Sequence, residues 1–368
     1  MNSPTRIVSA IVVLGLLALV SAASAGAPTR TLKHVGRPVA AVAMDGARVA
    51  YVSDDDAVHV WNIQTGAIVQ LKAGAGHYMD HPITPEVAIA GTRTAWITVT
   101  VNGNSRETTA RLFARSPTGR NRGVASAFKT DGYDEGGIEL WNGNWLTGLV
   151  GSQNVLAVST WTTKSKSDET GMTVSNERLA VIDVAGRLRT IVTGPNAIAS
   201  AASAEGRIAV LRQTGNIGIY SSTGTLVREI QPSSAQQIAL GGGRLLVLTG
   251  ERTLEVYNSA TGALLHTWPI HTSAAWMQAG NLSVYGRIGL YFVDPRRSAE
   301  HLHLVDLATG KELVLPATQH VWGAKDATLG ARGLVYPVNT YHFGAHPTQT
   351  GTLVFVPTAK LLAMIAAS

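Results

Sequence analysis

Apolar and polar residues alternate along most of this chain in short runs that stop at a glycine turn and begin again. Val58-His59-Val60-Trp61-Asn62 ends at Gln64-Thr65-Gly66, and Leu254-Glu255-Val256-Tyr257-Asn258 ends at Ala260-Thr261-Gly262. Leu302-His303-Leu304-Val305-Asp306 ends at Ala308-Thr309-Gly310 in the same way. Period-two alternation predicts strands with one buried face, and the glycine supplies the positive φ that a tight hairpin needs. The Asn or Asp before each turn is placed to hydrogen-bond the local backbone. A second run precedes each of these, as in Gly46-Ala47-Arg48-Val49-Ala50-Tyr51-Val52, Gly206-Arg207-Ile208-Ala209-Val210-Leu211 and Gly243-Arg244-Leu245-Leu246-Val247-Leu248. No helical periodicity is visible after the N-terminal segment.

The runs assemble into a repeating unit: apolar strand, Gly-x-Arg strand, polar loop, alternating strand, turn, final strand. A unit of roughly 40–50 residues holding four strands is the spacing of a β-propeller, whose units stack because none buries both faces alone. The expected fold is therefore all-β, a single β-propeller domain over 26–368 with about seven four-stranded antiparallel blades. The second and third units are the least regular, so the count could be six or eight. The last unit reads as supplying all four of its strands, leaving Arg30 to Val35 either to pair at the seam or to lead in.

Residues 1–25 have a different character. Arg6 is their only charge, Ile7 to Val20 is apolar, and Ala23-Ser24-Ala25 precedes Gly26. A basic start, a short hydrophobic stretch and a small-x-small end make a secretory signal peptide, too short to span a bilayer. Cleavage after Ala25 is expected, with a secreted or periplasmic mature protein that has no membrane span. The chain has no cysteine, which excludes disulfides, thiolate metal sites and a lipidated cysteine. Its net charge of +6 comes from basic residues scattered singly, not from the stripe that would mark a nucleic-acid binder. Charged residues make up only 15% while glycines number 38, a balance that suits many short strands. A monomer is expected.

Two repeat families are similar. Val58 to Gly66 resembles the end of a WD40 repeat, with Asn62 where that family prefers Asp. Asn258 through Trp268 and Asp306 to Lys311 resemble the repeats of PQQ-type quinoproteins and assembly-factor propellers. The resemblance implies blades, not chemistry. Quinoprotein enzymes use an adjacent cysteine pair at the cofactor, which is absent here, so PQQ is not expected and no cofactor is assigned.

Loops entering first strands and loops between second and third strands share one face of such a fold, and their lengths vary most, as expected where function resides. His77, Tyr78, Asp80 and His81 enter the second unit, Tyr133, Asp134 and Glu135 the third, and His320 the seventh. Imidazoles with carboxylates could hold a divalent metal (candidates His77, Asp80, His81, His320) or act as acid and base (His81, Asp134, Glu135). The same residues make an ordinary hydrogen-bonded loop pair, and their spacing matches no known metal motif. Tyr78, Tyr133, Trp141, Tyr341, His342 and His346 are candidate ligand-binding residues. Asn339 to Pro347 reads as a long aromatic loop, Thr162 to Asn176 as a disordered polar insertion, and Asp54-Asp55-Asp56 as a solvated turn. No Gly-x-Ser-x-Gly elbow or phosphate loop occurs. The leading expectation is a binding scaffold for a protein or cell-envelope ligand; the alternative is a metal-dependent hydrolase or lyase.

Overall fold

The computed structural model of the protein describes residues 31–74, 83–102, 107–115, 119–133, 139–165, 172–193, 198–250, 252–270, 277–295, 301–316, 327–342 and 348–368. They form an all-β propeller ring of antiparallel sheets. Strand β1 is Thr31–His34, and the first unit holds β2 (Val39–Asp45), β3 (Arg48–Ser53), β4 (Val58–Asn62) and β5 (Ile68–Lys72). The second holds β6 (Ile83–Ala90), β7 (Arg93–Asn102), β8 (Glu107–Arg115) and β9 (Asn121–Tyr133). The third holds β10 (Glu139–Ser152), β11 (Val155–Ser165), β12 (Met172–Ile182) and β13 (Leu188–Thr193). Next come β14 (Ile198–Ala204), β15 (Arg207–Arg212), β16 (Ile217–Ser221) and β17 (Leu226–Ile230), then β18 (Ala235–Gly241), β19 (Arg244–Thr249), β20 (Thr253–Asn258) and β21 (Leu264–Pro269). The chain continues through β22 (Met277–Tyr285), β23 (Ile288–Pro295), β24 (His301–Asp306) and β25 (Glu312–Pro316). It ends with β26 (Thr328–Gly330), β27 (Gly333–His342), β28 (Thr348–Pro357) and helix α1 (Thr358–Ala367).

Five sheets have four strands each and stand as separate blades, while β6 to β13 form one eight-stranded sheet. The expected count of about seven separate blades is therefore corrected to five. The cause is local: β9 runs past its own unit and hydrogen-bonds the start of β10, with Tyr133 opposite Glu139 and Lys129 opposite Gly143. First strands β2, β6, β10, β14, β18, β22 and β26 pack side by side in that order, and β26 returns to β2.

At the seam the N-terminal segment pairs, one of the two expected alternatives, but the last unit does not supply all four of its strands. The last sheet takes its outer strand from β1, with Thr31 opposite Phe355 and His34 opposite Thr352. Its own C-terminal segment becomes α1 instead. Thr358 to Ala367 is rich in Ala, Leu, Met and Lys, which favour helix, and Leu361 and Ile365, four residues apart, are both buried in the cluster shared by the last two sheets.

Neighbouring sheets bury apolar clusters between them, and at the seam Val39, Val49, Tyr51 and Trp61 of the first unit meet Val335, Leu353 and Phe355 of the last. The Asn339 side-chain amide donates to the Val39 carbonyl (2.9 Å) and accepts from the Val39 N–H (2.8 Å), pairing the two units as a strand would. A methyl at Gly351 would collide with the Arg37 carbonyl, so the close approach there needs glycine.

The singly scattered basic residues have a shared task. From the outer strands, Arg122 donates to the Ala185 carbonyl (3.2 Å), Arg189 to Ser222 (2.7 Å) and Thr223 (3.1 Å), and Arg228 to Ala260 (3.2 Å). Lys33 reaches Gly66 (2.9 Å) across the seam, Trp268 reaches Leu307 (3.3 Å), and Lys311 reaches Ala366 of α1 (3.0 Å). Apart from Lys311, which reaches the helix, each donor clasps the turn of the following unit, satisfying carbonyls that the strand ladder leaves open. Arg93, only 7% exposed, does the same deeper in, donating to Ile182 (2.6 Å) and Asp183 (2.6 Å).

The turns form as their residues dictate. The Asn258 carboxamide oxygen accepts from Ala260 N–H (2.9 Å) and Thr261 N–H (3.0 Å), and Gly262 sits at φ 76°. Asn62 caps its turn identically. Asp306 does so too, and also takes a two-pronged bond from Arg287, both contacts 2.5 Å. His59 stacks on Tyr51, His303 on Tyr291 and His266 on Trp268, with centroids 4.6–5.6 Å apart, so these three histidines serve packing. Asp54-Asp55-Asp56 is more than a solvated turn: Arg37 pairs with Asp55 (3.4 Å), and Asp56 accepts from the Thr84 N–H of the second unit (2.7 Å).

Hydrogen bonding from Arg287 holds the Asp306 carboxyl down to about 2. A carboxylate depressed in the folded state stabilises fully above its unfolded pKa of about 3.9, and that contribution is lost as pH falls through the folded value. Urea midpoints measured from pH 5 to 2 should therefore fall less steeply for Asp306→Asn than for the wild type. Parallel curves would mean the pair is not coupled to folding.

Candidate functional site

First strands begin and second strands end on one face of the ring, and the sequence-predicted residues belong to the segments that join them or end them. His77, Tyr78, Asp80 and His81 lie within 75–82, Asp134 and Glu135 within 134–138, His320 within 317–326 and His346 within 343–347, all outside the described residues. Tyr133 ends β9, Trp141 lies near the start of β10 opposite Asp131, and Tyr341 and His342 end β27; their side chains are likewise outside what is described. Among the described residues no cluster of three or more His, Asp or Glu is placed to hold a metal.

That face is built differently from the expectation of loops. β27 continues to His342, so Asn339 is a buried strand residue at the seam and not part of a recognition loop. The Thr162 to Asn176 insertion, expected to be disordered, is strand in its described parts, with β11 running to Ser165 and β12 starting at Met172; 166–171 lie outside the described residues. Strands β9 to β12 are 11 to 14 residues long, against five or six for most strands of the fourth and fifth units. The signal for this was present in β11: Thr160-Trp161-Thr162-Thr163 is a run of β-branched and aromatic residues with no turn residue.

The projecting part of the eight-stranded sheet has its own small core. Thr108, Lys129 and Trp145 extend the apolar face of Val99, Ala110 and Ala127 outward. Lys129 is 5% exposed, and its ammonium sits 4.6 Å from the Trp145 ring centre, an attraction that strengthens as water is excluded. Trp145 lies opposite Trp161 across β10 and β11. Gly143 permits the approach, since a Cβ there would strike the Phe128 carbonyl. Val101 on one side of the projection (46% exposed) and Phe128 on the other (44%) remain in water.

The ring also encloses a central cavity of about 490 Å³ that runs toward the opposite face. Small side chains from successive first strands line it, among them Ala43, Ala88, Ala202 and Ala239. Its far mouth carries Asp45, Glu205 and Tyr285. Burial first, and then Glu205 and Asp45, push the Tyr285 phenol up. Asp45 is committed to structure, accepting from the Gly91 N–H at 2.5 Å. The size suits a small ligand, and the wall mixes small apolar side chains with Ser152, Ser203, Ser283 and Thr328.

No known protein family matches the chain, and no curated protein matches it. Among solved structures, the computationally designed Ika8 protein is similar over 89% of this chain and 98% of its own, with 14% identity and a TM-score of 0.46.

Gly143 gives a direct check of the projection. Gly143→Ala should cost roughly 2 kcal/mol or more in urea denaturation, as a substitution forced against backbone. Gly123→Ala on the adjoining strand has open space and should stay within about 0.5 kcal/mol. Equal effects would mean that the two strands are not held together there.

Proposed function

We propose that the protein is an exported, non-enzymatic binding propeller, secreted or periplasmic, that docks a protein or cell-envelope ligand on the face from which β9 to β12 project. The observation that carries this reading is the projection itself. Long strands raise Phe128 and Val101 into water on a rigid sheet, where a mobile loop would pay more entropy on binding. Exposed apolar side chains set on ordered backbone are what a docking surface requires. The N-terminal leader supports export, and the Asn/Asp-x-x-Thr-Gly hairpins support kinship with WD40-like and PQQ-like propellers. The absence of cysteine and of any nucleophile elbow in the sequence argues for binding over catalysis.

A photo-crosslinking side chain placed at Thr109, beside Phe128, is compared with one at Glu205 on the opposite face, in cells exporting the protein. A discrete adduct from position 109, absent from position 205 and lost in Phe128→Glu, is the expected result. Adducts from neither position, or from both alike, would remove the reading. A thermal shift with Zn²⁺, Mn²⁺ or Ca²⁺ that His81→Ala abolishes would favour a metal-dependent hydrolase or lyase instead.

A further inference from the structure

A second, smaller cavity of about 220 Å³ opens between the third and fourth units. Thr147, Thr160, Trp161 and Glu177 line it from one side, Ile198 and Ser200 from the other. Its electrostatics are lopsided. Glu177 is the only ionisable residue in the lining, and no cation faces it from there. The carboxyl accepts a bond from the Ile198 backbone, but its Oε2 is buried with no hydrogen-bond partner. A nearby carboxylate shows the difference: Glu86 accepts from the Thr147 hydroxyl (3.0 Å) and the Leu149 N–H (2.7 Å), using both oxygens. An orphaned buried carboxylate oxygen is costly, so its survival calls for an explanation.

Strand geometry gives Glu177 its place. Thr160 pairs with Arg178 and Thr162 with Ser175, so two residues of β12, Asn176 and Glu177, oppose the single Trp161 of β11. Among the described second-to-third strand pairs this is the only one with a register shift. A bulge re-aims a side chain at the cost of ladder bonds and is typical beside functional sites. Here it puts a carboxylate and an indole at one cavity. Burial pushes the Glu177 carboxyl up, and the hydrogen bond from the Ile198 backbone opposes it only in part.

We propose that this cavity binds a small organic cation, an alkylammonium group, with Glu177 as its counterion and Trp161 as the aromatic wall. Carboxylate and indole together are the pair that recognises ammonium ions, by charge and by cation–π attraction. One side-chain torsion would turn the carboxylate toward the ligand and give Oε2 the donor it lacks. The hydroxyls of Thr160 and Ser200 border the same space and accept from remaining N–H groups. The site does not depend on partner docking at the projecting strands.

The test titrates the full mature protein with n-butylammonium chloride, n-butanol and methyl glucoside, following the Trp161 indole N–H by NMR. A saturable shift with n-butylammonium, at least ~10-fold stronger than with the neutral alcohol or the glycoside, is expected, since losing one ion pair costs about that factor. Glu177→Gln should weaken binding by ~10-fold or more at unchanged fold. Ala199→Trp, an exposed position that fills the cavity, should abolish it and covers the case in which Glu177→Gln does not fold. No saturable shift, an equal response to butanol or glycoside, or binding that survives Ala199→Trp would overturn the proposal.

Discussion

Each sheet of this ring is apolar on both faces, and the structure holds only because every sheet has a neighbour on each side. The place where that condition is hardest to meet is the seam, where the first and last units arrive from opposite ends of the chain. Three different interactions close it. Val39, Tyr51 and Trp61 bury against Val335, Leu353 and Phe355, the Asn339 amide pairs with the Val39 backbone, and β1 completes the last sheet. The strand itself buries little: Leu32 is half in water, so its contribution is chiefly hydrogen bonding, at about 1 kcal/mol per bond. It also carries Lys33, which clasps the first unit's turn and so ties the outer edge of the ring to its beginning.

The same clasp repeats around the rim, and it gives the basic composition a structural reading. Arg122, Arg189 and Arg228 spend their guanidinium groups on turn carbonyls of the next unit. Such bonds are exposed and individually modest, and each adds a tie between one unit and the turn of the next. Rigidity then becomes available to the projecting strands. β9 to β12 rise from a sheet anchored on both sides, which lets them present apolar groups without collapsing onto the ring.

The fold was legible in the sequence where local chemistry repeats. Asn62, Asn258 and Asp306 announce their hairpins because each needs a side-chain acceptor and a left-handed glycine three or four residues on, and the structure has all three. What failed was punctuation. Thr162 to Asn176 and Asn339 to Pro347 read as loops because they are polar, yet their described parts, 162–165, 172–176 and 339–342, are paired strand. The fusion of the second and third units was hidden for the same reason, since pairing of Lys129 with Gly143 depends on backbone approach and not on pattern. Helix α1 was missed because Leu361 to Ala367 is short enough to pass for a strand. Glu177 carried no sequence signal at all; only the bulge opposite Trp161 makes it different from any surface glutamate.

Closure by β1 is the claim on which the rest stands, and truncation tests it directly. A chain beginning at Val35 is compared with one beginning at Gly26 in urea denaturation followed by tryptophan fluorescence. The account predicts a lower midpoint, with a loss of about 2 kcal/mol or more from the missing ladder bonds and the Lys33 clasp. An unchanged midpoint and slope would show that the ring closes without its N-terminal strand.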